Sequence, residues 1–316
     1  MTTYHIEHRT TYTYDSDVTG SYGLVHLRPR DLAWQTCVAH EITIDPEPAD
    51  LFRHIDLYGN TKSYFHVVQP HTRLVVTSTS VVNVESNKLN STALDMTWEQ
   101  ARPAVRDGDP DAWEAGDFTF PSRYVDIPSP IQDYARSSFP ANRSIGEAAV
   151  ELMHRIHEDF TYRSGSTTLR TSVSDLLEKR TGVCQDFAHF MVAGLRSLGV
   201  AGRYVSGYVA PRRAPGKPRQ MEDAASHAWV GCWIPSAGWL YLDPTNDRLV
   251  DDSHTTVAWG RDYGDVPPVK GVIFTEAKES KMEVSVDMAE GVVTSRKTAG
   301  SSAGRAGPRQ PLECAD

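Results

Sequence analysis

The sequence predicts an α+β fold: an antiparallel, sandwich-like β domain followed by a core of helices packed on an antiparallel sheet. Three observations predict it. Residues 2–15 and 39–48 are rich in Thr, Tyr, Ile and Val in near period-two alternation, the pattern of half-buried strands. Residues 145–159 and 184–198 place apolar side chains at i, i+3 and i+4, the pattern of amphipathic helices. Three further β segments, 200–210, 226–234 and 239–243, follow those helices, and helices succeeded by a run of strands make an α+β plan.

The β domain is expected over residues 1–100. Its first two strands are followed by a turn at Asp56 to Asn60 (DLYGN), then by alternating segments at 64–68 and 73–84. Pro, Asp, Gly and Ser then dominate, and residues 101–143 read as a linker with short helices. Within it, DGDPD at 107–111 imitates the opening of a calcium loop. Such a loop needs a Gly where Ala112 stands and a bidentate Glu where Phe118 stands, so the run reads as solvated linker.

The core is expected over 144–290. Ala148, Ala149, Leu152, Met153 and Ile156 form the apolar stripe of its first helix. A short helix at 172–180 has Ser172 or Ser174 as N-cap, and the next helix starts near Cys184 and closes before Gly199. From 291 to 316 the chain turns to Gly, Ser, Ala and Arg. That composition cannot bury enough apolar area to offset ordering, so a disordered tail is expected.

Length and composition narrow the function classes. At 316 residues the chain exceeds the size at which single cores stop growing, about 250–300 residues. A hydrophobic content of 40 % with 23 % charged residues excludes global disorder. The net charge of −9 argues against nucleic acid as a partner, since phosphate binding needs clustered Lys and Arg. No apolar run approaches the ~18–20 residues of a membrane span, so no membrane partner is expected. The opening MTTYHIEHRT lacks an apolar secretory core, which points to the cytoplasm. Neither a Gly-rich nucleotide loop nor a G-x-S-x-G nucleophile elbow occurs, and the chemistry below requires no cofactor and no metal. Nothing specifies the oligomeric state.

Four cysteines, Cys37, Cys184, Cys232 and Cys314, are too few and too scattered for a disulfide framework, and none lies in a C-x-x-C pair. Cys184 stands apart. It opens the helix whose apolar stripe is Phe187, Ala188, Met191, Leu195 and Leu198, and the unpaired N–H groups of a helix start favour a thiolate. A small buried hydrophobe is the alternative reading.

A thiolate nucleophile needs a base, and the base needs an orienting group. The stretch ASHAWVGCWIPSAGWLYLDPTN reads as a hairpin in which Ala228, Val230, Cys232, Leu240 and Leu242 share one apolar face. A connection with an odd number of residues then places His227 across from Asp243, directly or diagonally, on the other face. Cys232 points away from both. A purely structural His–Asp pair is the alternative at this stage.

These residues lie in strings that resemble the transglutaminase-like superfamily, whose core has a papain-like Cys–His–Asp order. The strings are HEDFTY (157–162), RTGVCQDFAHFMVAGLRSLGVAGRYVSGYV (180–209), SHAWVGCWIPSAGWLYLDPTN (226–246) and VAWGRDYGDVPPVKG (257–271). Together with DLYGN they resemble the bacterial branch with an extra N-terminal β domain, over roughly residues 2–290. The resemblance implies Cys184 as nucleophile, His227 as general base then acid, and Asp243 as the group orienting His227. It implies amide chemistry through a thioester. The backbone N–H of Cys184 is the natural oxyanion donor; Gln185 and Tyr162 are candidates for the second, with Trp229 and Tyr208 as further substrate-binding candidates. His254, Arg261 and Asp262 are supporting candidates behind the site. The basic loop PRRAPGKPRQ (211–220) reads as a solvated segment beside the cleft.

Three functions follow in order. The first is a cysteine-dependent amide hydrolase acting on a peptide or protein. The second is a protein-glutamine transglutaminase passing the acyl group to an amine. The third is a binding module on a degenerate fold, which an intact Cys–His–Asp set opposes.

Overall fold

The computed structural model describes residues 1–87, 89, 91–104, 112–166, 171–211 and 225–291. The DGDPD run, all but the first residue of the basic loop 211–220, and the tail beyond residue 291, with Cys314, lie outside the described residues.

The β domain begins with β1 (Thr2–Val25), β2 (Gln35–Asp45), β3 (Asp50–Ile55), β4 (Thr61–Val67) and β5 (His71–Val84). Short helices follow: α1 (Ser91–Leu94), α2 (Trp98–Ala104), α3 (Trp113–Gly116) and α4 (Ser129–Arg136). The core then supplies α5 (Ile145–Asp159), β6 (Thr161–Tyr162), α6 (Val173–Lys179), β7 (Thr181–Gly182) and α7 (Cys184–Ser197). Its sheet follows as β8 (Gly202–Val209), β9 (Ala225–Ile234), β10 (Gly238–Asp243), β11 (Arg248–Leu249) and β12 (His254–Gly260). Two last strands, β13 (Val269–Thr275) and β14 (Ser280–Glu290), close the described chain.

Those last strands correct the expected boundaries. They do not belong to the core, expected to run to residue 290, but complete a seven-stranded antiparallel sheet in the β domain. β1 is long enough to serve both halves: Thr2–Thr13 pairs with β5 and Tyr4–Tyr14 with β14, while Val18–Val25 pairs with β13 and Ser21–Val25 with β4. Both halves feed one cluster that includes Tyr14, Val18, Ile44, Phe65, Val67 and Val76, so the curled sheet packs on itself in sandwich-like fashion. The reason for the long return is burial. Val286 and Met288 on β14 join Tyr4 and Ile6 of β1 in the main core.

The helices follow their local chemistry. Ser144 caps α5 by accepting from Glu147 N–H at 3.3 Å, and the expected stripe, Ala148 to Ile156, is buried. Ser172 and Asp175 form a reciprocal capping box on α6. α7 is a central helix, with Phe187, Phe190, Met191 and Leu195 at most 1 % exposed, and it contacts α4, α5, α6, β8 and β9. Arg196 near its end is buried too. Its guanidinium donates to the carbonyls of Phe118, Phe120, Gly202 and Arg261 and to Ser122 Oγ, at 2.6–3.2 Å. Burial lowers its pKa to about 10.

The core sheet has the order β11-β10-β9-β8-β12. One face carries Ala228, Val230, Cys232, Leu240 and Leu242 into the main core, as the hairpin alternation predicts. The other face is aromatic. The Arg203 guanidinium stacks on Trp239 and Trp259 at 4.0 and 3.6 Å, and Arg30 from the β domain covers Trp259 at 3.5 Å. β12 lies at the edge of this sheet, and side chains of the β domain take the place of a neighbouring strand. Gln35 exchanges two hydrogen bonds with the backbone of Thr256, each 2.8 Å. Asn60 does the same with Trp259, at 2.8 and 3.0 Å. The DLYGN turn is thus a docking element as well as a turn.

Candidate active site

Cys184 is the first residue of α7, directly after the short parallel pairing of β6 with β7. Val183 N–H donates to Asp186 Oδ2 at 2.8 Å and tightens the helix start. As the first helical residue, Cys184 has an N–H with no acceptor inside the helix. Its side chain is half-buried at the margin of the main core.

His227 and Asp243 come from the neighbouring strands β9 and β10. The pairing runs from Gly238↔Ile234 to Leu242↔Val230, so the connection is the three residues Pro235, Ser236 and Ala237, an odd number as expected. Continued by one residue, that register sets Trp229 opposite Asp243 and places His227 on the diagonal. His227 Nε2 donates to Asp243 Oδ2 at 2.8 Å. Asn246 Nδ2 lies 3.2 Å from the same nitrogen, which leaves Nδ1 for the Cys184 thiol. Burial alone would lower the His227 pKa, but hydrogen bonds to Asp243 and Cys184, with their charges, raise it to about 10.

Asp243 is fully buried and its carboxylate is saturated. Oδ1 accepts from the backbone N–H of Thr245 and Asn246, at 3.1 and 3.2 Å. Oδ2 accepts from His227, from Asn246 Nδ2 at 2.7 Å and from His254 Nε2 at 3.2 Å. Burial opposes the charge, yet these bonds outweigh it and hold the carboxyl far below its usual range. From outside, His157 Nδ1 on α5 donates to the Thr245 carbonyl at 3.0 Å and steadies the turn.

The strands can approach this closely because residue 207, opposite His227, is glycine. A Cβ there would lie 2.1 Å from the Thr255 carbonyl oxygen and 2.5 Å from the Trp229 ring.

The other sequence candidates divide. Tyr162 is 55 % exposed, and its phenol is raised by burial and then by the charge of Cys184, which is within electrostatic reach of it. Gln185 follows Cys184 in the same helical turn, half-buried. Trp229 is fully buried, with its ring 6.2 Å from that of His227 and 5.4 Å from that of His254, so it supports the imidazoles from behind and is closed to substrate. Tyr208 turns away: its hydroxyl meets His8 Nδ1 at 3.1 Å in the contact between the β domain and the core. Arg261 pairs with Asp265 at 3.0 and 3.1 Å, and Asp262 accepts from Gly264 and Tyr124 N–H, both at 2.8 Å. These two secure the connection after β12. His254, by contrast, reaches the site.

Two residues escaped the sequence reading. Asn246 lies in the quoted string and touches both His227 and Asp243; an amide three residues after a buried Asp is the available signal. Tyr204, buried on β8, has its phenol raised by burial and next by Cys184, and nothing local in the sequence separates it from Tyr208. Cys232 is fully buried, its thiol pushed to about 12 by burial. Among the described residues no group of three or more His, Cys, Asp or Glu side chains is arranged to hold a metal ion, and no helix is long and apolar enough to cross a membrane.

Residues 4–83 match the family model described as the bacterial transglutaminase-like N-terminal region, and residues 132–244 match that of the transglutaminase-like superfamily. An uncharacterized protein of Mycobacterium tuberculosis is 46 % identical over 292 residues, covering 90 % of this chain and 92 % of that one. Another from Mycobacterium leprae is 34 % identical, with 90 % and 97 % covered. A Pseudomonas aeruginosa protein-glutamine gamma-glutamyltransferase is 37 % identical over 92 residues, 28 % of this chain and 14 % of that one. Among solved structures, a candidate cysteine protease from Cytophaga hutchinsonii superposes with a TM-score of 0.71, at 21 % identity over 92 % of this chain and 90 % of that one.

Proposed function

The chain belongs to the transglutaminase-like superfamily, and from that premise we propose that it is a cysteine-dependent amide hydrolase acting on peptides or proteins. The observation that carries the reading is His227, held between the Asp243 carboxylate and the Cys184 thiol and raised in pKa by both. The thiol proton passes to His227, and Sγ attacks the amide carbon. The oxygen that becomes negative lies toward the helix start, where the Cys184 N–H donates to it. His227 then gives the proton to the departing amine, leaving a thioester. Water attacks next with His227 as base, the acid leaves, and the thiol is restored. Asp243 stays ionised throughout and keeps the imidazole aligned.

Transfer of the acyl group to an amine is the second reading. It is favoured by the 92-residue likeness to a protein whose name is protein-glutamine gamma-glutamyltransferase. One experiment separates the two: a glutamine-containing peptide is offered with a labelled amine, and the Cys184 thioester is trapped by acid quench. Hydrolysis predicts release of free acid and ammonia with little label incorporated. Preferential incorporation of the amine establishes transfer, and no adduct on Cys184 removes both readings.

A further inference from the structure

We propose that His254 is a positioning residue of this site, holding Asp243 in the orientation in which it accepts from His227. The proposal rests on the reading of Cys184, His227 and Asp243 given above. One carboxylate oxygen, Asp243 Oδ2, lies 2.8 Å from His227 Nε2 and 3.2 Å from His254 Nε2, so two imidazoles donate to it.

His254 is itself fixed. Its side chain is wholly buried. Nδ1 lies 3.1 Å from Asp251 Oδ1 and 3.3 Å from both Ser253 Oγ and Asp251 N, and the ring meets Trp229 edge to face. Since ionised Asp243 can only accept, Nε2 must carry the proton toward it. The titratable groups around His254 are Asp243 from β10, Asp251 from the turn before β12, and His227 across the shared Asp243 oxygen. Arg248 stands 3.6 Å from Asp251 on its far side.

The consequence is chemical. A buried carboxylate free to turn could present either oxygen to His227 and could take its proton once the ring becomes cationic. The Thr245 and Asn246 N–H groups hold Oδ1 and Asn246 Nδ2 shares Oδ2; a second imidazole on Oδ2 completes that restraint from the buried side and makes the oxygen less basic. His227 then keeps its proton for the leaving amine. The anchor is distant in the chain: β12 is held by Gln35 and Asn60 of the β domain.

The test needs no natural substrate. Iodoacetamide alkylation of Cys184 is followed across pH in the full chain by mass spectrometry of its peptide, alongside the melting temperature. His254→Phe keeps an aromatic ring, a larger one, and removes both nitrogens; His254→Gln keeps a donor. His254→Phe should slow alkylation at neutral pH about tenfold, the scale of losing a group that orients a reactive one, and move the acid limb to higher pH. His254→Gln should recover most of both effects at a similar melting temperature. Asp251→Asn, a surface change that loosens Nδ1, should shift the profile the same way but less, and serves if the phenylalanine variant does not fold. Unchanged profiles in the His254 and Asp251 variants, with a clear change in His227→Ala, overturn the role of His254 alone. An unchanged profile in His227→Ala overturns the underlying site as well.

Discussion

His227 donates to Asp243 along the diagonal of the β9–β10 pair, not straight across it, and Trp229 fills the position opposite the carboxylate. The same imidazole hydrogen-bonds to Cys184 at the start of α7. The diagonal also leaves the buried side of Asp243 open to His254.

Cys184 should outpace the other described thiols in alkylation. Cys37 and Cys232 are both raised in pKa by burial, Cys232 to about 12, and neither faces a histidine paired with a carboxylate. Peptide mapping after a short iodoacetamide pulse measures the three rates, and equal rates would sink the assignment. Cys184→Ala should abolish amide turnover while leaving the melting temperature near that of the parent.

Stability should depend on pH through the same pair. His227 has a folded pKa of about 10 against an ordinary 6.5, so the stability it contributes is fully present below about 6.5 and is lost as pH rises through about 10. Asp243 is depressed, so its contribution is present above the ordinary carboxylate range and is lost on acidification. Urea unfolding between pH 6 and pH 10 should therefore show the parent losing ground to His227→Gln. Parallel curves would contradict the linkage.

Arg196→Met should destabilise without touching the chemistry. The change strands the carbonyls of Phe118 and Gly202 in the interior, at a cost on the order of 3 kcal/mol. Calorimetry reads the loss, and Cys184 alkylation well below the melting temperature should stay at the parent rate.

Asn60→Ala should cost about 1–3 kcal/mol, the penalty of leaving buried backbone groups unmet. Amide exchange at Trp259, which now donates to Asn60 Oδ1, should accelerate more than exchange on β9. Uniform acceleration would mean that the β domain does not hold β12 in particular.

Much of this site is legible in the sequence because its parts obey local periods. The stripe from Phe187 to Leu198 and the alternation from Ala228 to Leu242 each fix which way a side chain points. The placement of His227 across from Asp243, directly or diagonally, follows from those patterns and an odd connection, and the three-residue length that makes it diagonal is visible only in the pairing itself. The rest depends on contacts between residues far apart in the chain. Tyr208 and Tyr204 share a strand face, yet only Tyr208 meets His8 across the domain contact. β14 alternates visibly at Met282, Val284, Val286 and Met288, but alternation marks a strand without naming its partner, and that partner is β1.

That pairing has a consequence for the order of events during synthesis. The strands of the β domain come from residues 2–84 and 269–290, with the whole reactive core inserted between β5 and β13. Until residue 290 has left the ribosome, β1 has a row of unpaired backbone groups along one side, the kind of edge that recruits other chains. The nascent protein must carry this open edge while the core with its thiol is made. Only the final strands seal it.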